Sequence, residues 1–135
     1  MAKRFAIALD AALFLSEHRA KVPSEHFLVA PTLLRSQMLS HLYAAVRHGD
    51  LQKRDAEQRL DHLRKLRIRL LGDRVLQRHA WSIASQMNWA NTYDAEYIAV
   101  TQLQADALVT GHAELAAAAK AFVAVCSVEE LLGGG

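Results

Sequence analysis

The stretch Phe5-Ala6-Ile7-Ala8-Leu9-Asp10 is a short, unbroken apolar run that ends in an aspartate. Five apolar residues are too few for a typical helix. An apolar run without polar alternation is typical of a strand that is buried on both faces, as in parallel sheets. We therefore predict a strand over residues 5–9, with Asp10 at its carboxyl end.

Three more short apolar runs, and one segment in which Leu66, Ile68 and Leu70 alternate with Arg67 and Arg69, lie between helical patterns along the chain. They predict strands at 27–30, 67–71, 107–110 and 122–126, separated by helices at 11–16, 31–49, 51–66, 74–87, 93–103 and 113–120. Pro31 is expected at a helix start and Gly49 at that helix's end. This order predicts an α/β fold, a three-layer α/β/α sandwich with a mostly parallel five-stranded sheet. Residues 1–132 are expected to form one domain, and 133–135 a frayed glycine tail.

The composition supports a globular protein with its own core. The chain has 135 residues, of which 52% are hydrophobic, and its only cysteine is Cys126, so it has no internal disulfide. This usage favours a reducing, cytoplasmic location. Apolar runs stay well below the roughly 18 residues that span a bilayer, so we expect no association with a membrane.

The charge is distributed unevenly along the sequence. Residues 47–78 carry ten basic and five acidic side chains, a net charge of +5, whereas 79–135 carry one basic and six acidic side chains, a net charge of −5. A basic middle suits a polyanion such as RNA, with Arg67 and Arg69 among the residues that would steer it. The alternative is an ordinary solvated helical face, since no aromatic residues interleave with the basic ones.

Polar residues follow several of the predicted strands. Asp10 follows the first strand, His112 follows the strand at 107–110, and Asp94 opens the helix that begins at Tyr93. Ligands of open parallel sheets gather beyond the carboxyl ends of the strands, and carboxylate oxygens suit Mg²⁺ or Mn²⁺. Each residue also has a structural alternative: Asp10 as a helix cap, Asp94 as a partner of the helix dipole, and His112 as a surface or capping histidine.

Four stretches resemble the motifs of the PIN-domain family. Residues 7–11 (Ile-Ala-Leu-Asp-Ala) resemble its first strand and aspartate, and 29–34 (Val-Ala-Pro-Thr-Leu-Leu) its second strand and proline. Residues 92–100 resemble its threonine-tyrosine-aspartate-alanine helix start, and 108–116 the strand and turn that carry a late acidic residue. A flavodoxin-like domain is disfavoured, because no glycine-rich turn follows the first strand.

The resemblance implies a metal-dependent endoribonuclease. The catalytic positions of the family correspond to Asp10, Gln37, Asp94 and His112, with Asp10 and Asp94 as ligands of Mg²⁺ or Mn²⁺. By size the chain resembles the VapC toxins, which implies an RNA substrate, a homodimer and a small antitoxin partner. Such a partner lays an amphipathic segment in a groove, for which leucines between residues 34 and 66 are candidates.

Two of these positions depart from the family pattern. Gln37 stands where the family has a glutamate, and His112 where it has an aspartate. The loss of about two negative charges weakens the expected hold on Mg²⁺, and a histidine favours Mn²⁺ or Zn²⁺. Glu114 or Glu96 would be a compensating carboxylate, although both also fit an ordinary first helical turn. Enzymatic activity is therefore open, and the alternative is a non-catalytic PIN domain that binds an antitoxin or RNA.

Overall fold

The computed structural model describes residues 3–133, which form one α/β unit. The strands are β1 (Arg4–Ile7), β2 (Phe27–Pro31), β3 (Arg69–Leu71), β4 (Ala107–Val109) and β5 (Val125–Cys126). The helices are α1 (Leu9–Glu17), α2 (Leu33–Arg47), α3 (Lys53–Lys65), α4 (Arg74–Met87), α5 (Tyr93–Gln104), α6 (Ala113–Ala119) and α7 (Val128–Leu131). The last two glycines of the predicted tail lie outside the described residues.

The five strands form one sheet in the order β3-β2-β1-β4-β5, and every pair is parallel. β1 lies at the centre, and Ala6, Ile7 and Ala8 are fully buried there, as expected for a strand covered on both faces. Helices α1, α2 and α3 pack together, while α4 packs against α5, which itself covers β1, β2 and β4. The predicted three-layer α/β/α sandwich is therefore confirmed.

The first strand is shorter than the sequence predicts. β1 ends at Ile7, and Ala8 is an extended N-cap residue whose N–H still donates to the Val109 carbonyl at 3.1 Å. Asp10 consequently lies in the first turn of α1, not at the end of a strand and not at the capping position. The Asp10 carboxylate still lies at the carboxyl-terminal edge of the sheet, as expected, because α1 begins immediately beyond β1.

Other boundaries also differ from the sequence prediction. The strand predicted at 67–71 begins only at Arg69, because Arg67 adopts a left-handed backbone conformation with φ 54°. Pro31 ends β2 instead of opening α2. The hydrogen bonds between β2 and β3 extend one residue further, because the Thr32 N–H donates to the Leu71 carbonyl at 3.0 Å. The last strand is only two residues long, because the N–H groups of Phe122 and Val123 both turn back to the Ala119 carbonyl at 2.9 Å. Helix α7 was missed, although its capping box at Ser127 is visible in the sequence.

Across residues 3–133, no helix combines the length and the apolar character that crossing a membrane requires. The longest helix, α2, has 15 residues, and of these only Leu34, Met38 and Leu42 are buried. These three residues recur every four positions and form the stripe that faces the core, whereas Leu39 and Tyr43 of the same helix are exposed.

Candidate functional site

The candidate site lies where the direction of the chain across the sheet reverses. From β1 the chain moves outward through β2 to β3, and it then returns to place β4 on the other side of β1. The loops after two neighbouring strands of this kind leave in opposite directions, so a crevice opens at their carboxyl ends. Asp10 follows β1 and His112 follows β4, which places them on the two sides of this crevice.

A pocket of about 330 Å³ opens in this crevice, and all four residues that the sequence singled out line it. Asp10 comes from α1, Gln37 from α2, Asp94 from α5 and His112 from the start of α6. The fold thus brings together side chains from four helices that are far apart in the sequence. The other lining residues are Leu9, Leu13, Tyr97 and Leu115.

The Asp10 carboxylate is held by two donors from the β4–α6 loop. Oδ1 accepts from the Thr110 hydroxyl at 2.6 Å, and Oδ2 accepts from the Gly111 N–H at 2.7 Å. Thr110 is buried, with 4% of its surface exposed, so this arrangement is fixed by the core. Both bonds hold the carboxylate in one orientation at the wall of the pocket. Sequence reasoning assigned no role to Thr110, although it stands directly after β4.

Gln37 is oriented by a tyrosine on the neighbouring helix. The Tyr97 hydroxyl donates to Gln37 Oε1 at 2.6 Å, and Tyr97 is only 2% exposed. Burial raises the pKa of Tyr97 well above its ordinary value of 10.0, and the carboxylates of Glu96, Asp94 and Asp10 raise it further. The hydroxyl therefore remains a hydrogen-bond donor across the physiological pH range. Sequence reasoning missed this role of Tyr97, because only the fold brings α2 beside α5.

Asp94 lies in the first turn of α5 and is exposed to solvent at the pocket wall. Its neighbour Glu96 is engaged elsewhere, since its Oε2 accepts from the Thr92 hydroxyl at 2.9 Å. Glu96 and Glu114 are both absent from the lining of the pocket. Among the described residues, the carboxylates of this pocket are thus Asp10 and Asp94.

His112 is the N-cap residue of α6, as its structural alternative predicted. Its Nδ1 accepts from the Leu115 N–H at 3.3 Å, and its own N–H donates to the Thr110 hydroxyl at 3.1 Å. When Nδ1 accepts a hydrogen bond, a neutral imidazole carries its proton on Nε2. In this state the ring offers a donor and not the free nitrogen that a metal needs.

The side chains of the pocket are of the type that binds a hard divalent cation, but they are few in number. It offers two carboxylates and one amide oxygen, and neither lysine nor arginine lines it. Within residues 3–133, no three His, Cys, Asp or Glu side chains are grouped as metal ligands. Mg²⁺ is commonly held by one or two carboxylates together with water and the substrate's phosphates. A cation in this pocket would therefore need further oxygen ligands from water or from a bound phosphate.

Comparisons with known proteins bear on the fold. No family model and no curated protein matches the sequence. Among solved structures, the chain is similar to the crystal structure of PAE2754 from Pyrobaculum aerophilum, with a TM-score of 0.70 and 24% sequence identity. The likeness covers 99% of this chain and 97% of the other. At this level of identity it establishes that the two proteins share their fold.

Proposed function

We propose that the protein is a metal-dependent endoribonuclease of the PIN-domain type, with a weakened hold on its metal. The single observation that carries this proposal is the pocket at the sheet reversal, where Asp10 and Asp94 face the same space. The three ion pairs found among the described residues include neither carboxylate. Two carboxylates without a cationic partner in a shared pocket attract a cation.

The proposed roles follow from the hydrogen bonds of each side chain. Asp10 and Asp94 would hold Mg²⁺ or Mn²⁺, which supplies an activated water and offsets charge on the scissile phosphate. Thr110 and Gly111 keep the Asp10 carboxylate oriented. The hydroxyl of Tyr97 fixes Gln37 so that its amide group faces the pocket. His112 presents Nε2–H as a donor for a phosphate oxygen.

The nuclease proposal is tested by cleavage of a single-stranded RNA in Mg²⁺ and in Mn²⁺. Asp94→Asn should lower the rate at least about 100-fold, because it removes one of two charged ligands. Asp50→Asn is the matched control, since Asp50 is an exposed loop residue outside the pocket, and it should leave the rate unchanged. Cleavage that Asp94→Asn leaves intact would come from another site or from a contaminant and would refute the proposal.

A second candidate function is a non-catalytic module that binds RNA or an antitoxin. The neutral Gln37 and the capping His112 favour it, because they leave the pocket with two carboxylates. The double variant Gln37→Glu with His112→Asp separates the two candidates. If only the double variant cleaves RNA, the protein is a decayed nuclease. If neither protein cleaves, the binding module is supported.

A groove between α2 and α3 is the proposed binding site of a partner protein. This groove has a volume of about 380 Å³ and is lined by apolar side chains and by three arginines, of which Arg64 is paired with Asp61. A small antitoxin with an acidic amphipathic segment would suit it, because the arginines complement its charge. The lining residues are Leu34, Arg35, Met38, Leu39, Leu60, Leu63, Arg64, Arg67, Ile68 and Leu70.

The proposal also includes a homodimer in the cytoplasm, as in the toxins that the sequence resembles. The surface carries exposed aromatic residues that a dimer would cover, among them Trp81, which is 74% exposed. Sedimentation velocity at micromolar concentration measures the oligomeric state directly. A single species at the monomer mass of 15.0 kDa would contradict this part of the proposal.

A further inference from the structure

A second cavity adjoins the candidate site. It has a volume of about 370 Å³, and Asp10 and His112 line both cavities. These two side chains therefore form the wall between the two spaces. If a phosphate is held at the proposed metal site, the adjoining cavity lies where a neighbouring nucleotide would go. Its size falls within the range of small-molecule pockets, about 300–1,000 Å³.

An exposed aromatic ring lines the second cavity one helical turn beyond Asp10. Phe14 lies on the same face of α1 as Asp10, four residues later, and 39% of its surface is exposed. The His18 ring packs against it with a centroid distance of 4.3 Å and a tilt of 43°, which restricts the orientation of Phe14. A fixed, accessible aromatic ring is the kind of surface on which unpaired bases stack.

The polar group that this cavity offers is a carboxylate. Ser127 and Glu130 are engaged with each other in the capping box of α7. Glu129, in the same turn, is exposed and lines the cavity together with Gly111 and Val128. A carboxylate accepts hydrogen bonds from the exocyclic amino group of a base, whereas it repels a carbonyl oxygen in the same place. The lining contains the carboxylates of Asp10 and Glu129 and neither lysine nor arginine, so the cavity also disfavours a phosphate.

We propose that this second cavity is a base-binding subsite, in which Phe14 stacks on a nucleobase and Glu129 selects bases that carry an exocyclic amino group. The inference rests on the proposed function, because it assigns the cavity to the nucleotide beside the scissile phosphate. It makes cytosine, adenine and guanine the favoured bases and uracil the disfavoured one.

The test uses the four ribonucleoside 5′-monophosphates, which contain no internucleotide bond and so report binding without cleavage. Their affinities are measured by NMR titration in Mg²⁺ for the wild type, Phe14→Leu and Glu129→Gln. Phe14→Leu keeps the apolar bulk but removes the stacking face, so all four nucleotides should bind roughly five- to ten-fold more weakly. Glu129→Gln should reduce the difference in affinity between CMP and UMP. The matched control is Phe27→Leu. Phe27 is 62% exposed and is the first residue of β2, at the edge of the sheet opposite to the cavity, so this substitution should leave the affinities for all four nucleotides unchanged.

The outcomes separate this inference from the proposed nuclease activity. If Phe14→Leu binds all nucleotides as the wild type does, or if UMP binds as tightly as CMP, the base subsite is refuted even when RNA cleavage depends on Asp94. If binding depends on Phe14 and Glu129 while no RNA is cleaved in either metal, the subsite is supported and the nuclease proposal fails.

Discussion

The Asp10 carboxylate shows how the candidate site depends on single hydrogen bonds. Its oxygens are bound by a buried hydroxyl and a backbone N–H that both follow β4, while the carboxylate itself follows β1. Asp10 therefore ties together the two strands that flank the reversal of the sheet. The same bonds fix the orientation of the carboxylate at the pocket wall, so stability and the proposed chemistry depend on the same atoms.

Thr110 allows this link to be tested. Thr110→Val preserves the shape of the side chain but removes the donor to Asp10 and the acceptor for the His112 N–H. We expect the free energy of unfolding to fall by about 1–3 kcal/mol, because the half-buried Asp10 carboxylate and the His112 N–H each lose a hydrogen-bond partner. Urea unfolding followed by tryptophan fluorescence measures the change. Thr110→Ser is the control that keeps the hydroxyl, and equal losses in the two variants would show that the hydrogen bonds contribute nothing.

Restoring charge to the pocket should strengthen metal binding. In the double variant Gln37→Glu with His112→Asp, Tyr97 can donate to the new glutamate, and aspartate is among the best N-cap residues for α6. We expect Mn²⁺ to bind roughly ten-fold more tightly or better, equivalent to about 1.4 kcal/mol, as measured by calorimetry. The control is Gln104→Glu with His41→Asp, which adds the same charge on exposed positions outside the pocket. Equal gains in both variants would mean that net charge, and not this pocket, determines the affinity.

At the scale of the elements, the sequence locates four of the strands because each contains a short apolar run between polar segments, and it locates β3 by its alternation of apolar residues with arginines. Helix α4 at Arg74–Met87 matches its prediction residue for residue, whereas the last strand is overestimated because Phe122 and Val123 turn back onto α6. The order of the strands in the sheet cannot be predicted from any short segment, because it depends on which distant segments pair. The sequence also singled out four site residues by resemblance, but the bond between Tyr97 and Gln37 arises only because the fold brings α5 beside α2.

A close approach between β3 and the start of α2 gives a prediction at this scale. A methyl group added at Gly72 would stand 2.6 Å from Thr32 Oγ1 and 3.3 Å from Thr32 Cβ. Because Thr32 is itself bonded to the Leu71 carbonyl, Gly72→Ala has to displace one of the two segments. We expect a loss of about 1–3 kcal/mol in the free energy of unfolding. Gly111→Ala is the control, since its new methyl would meet Asp10 Oδ2 at an ordinary 3.6 Å. The proposed clash is wrong if both variants unfold at the same urea concentration.

At the scale of the whole molecule, the pocket is a consequence of topology. The sheet places β1 between β2 and β4, so the segments that follow β1 and β4 face each other across one crevice. The charge of the chain follows the same division, because the basic segment 47–78 covers α3, β3 and the start of α4, while both carboxylates of the pocket lie outside it. Under the proposed function, the phosphates of an RNA strand would contact the arginines of this segment, and the pocket would contact the RNA through a bound cation.

The fold as a whole should become less stable at alkaline pH, in part through its single cysteine. Burial and the Glu130 carboxylate raise the pKa of Cys126 from its ordinary value of 9.0 to about 11, while Lys3 acts in the opposite direction. The folded state therefore holds this proton more tightly than the unfolded chain does. Its contribution to stability is complete below about pH 9 and is lost as the pH rises toward 11. Urea unfolding between pH 7.5 and 10.5 measures the decline, which should be shallower in Cys126→Ala. The proton on Tyr97 is retained in both proteins, so their difference isolates the thiol, and parallel pH profiles would contradict the prediction.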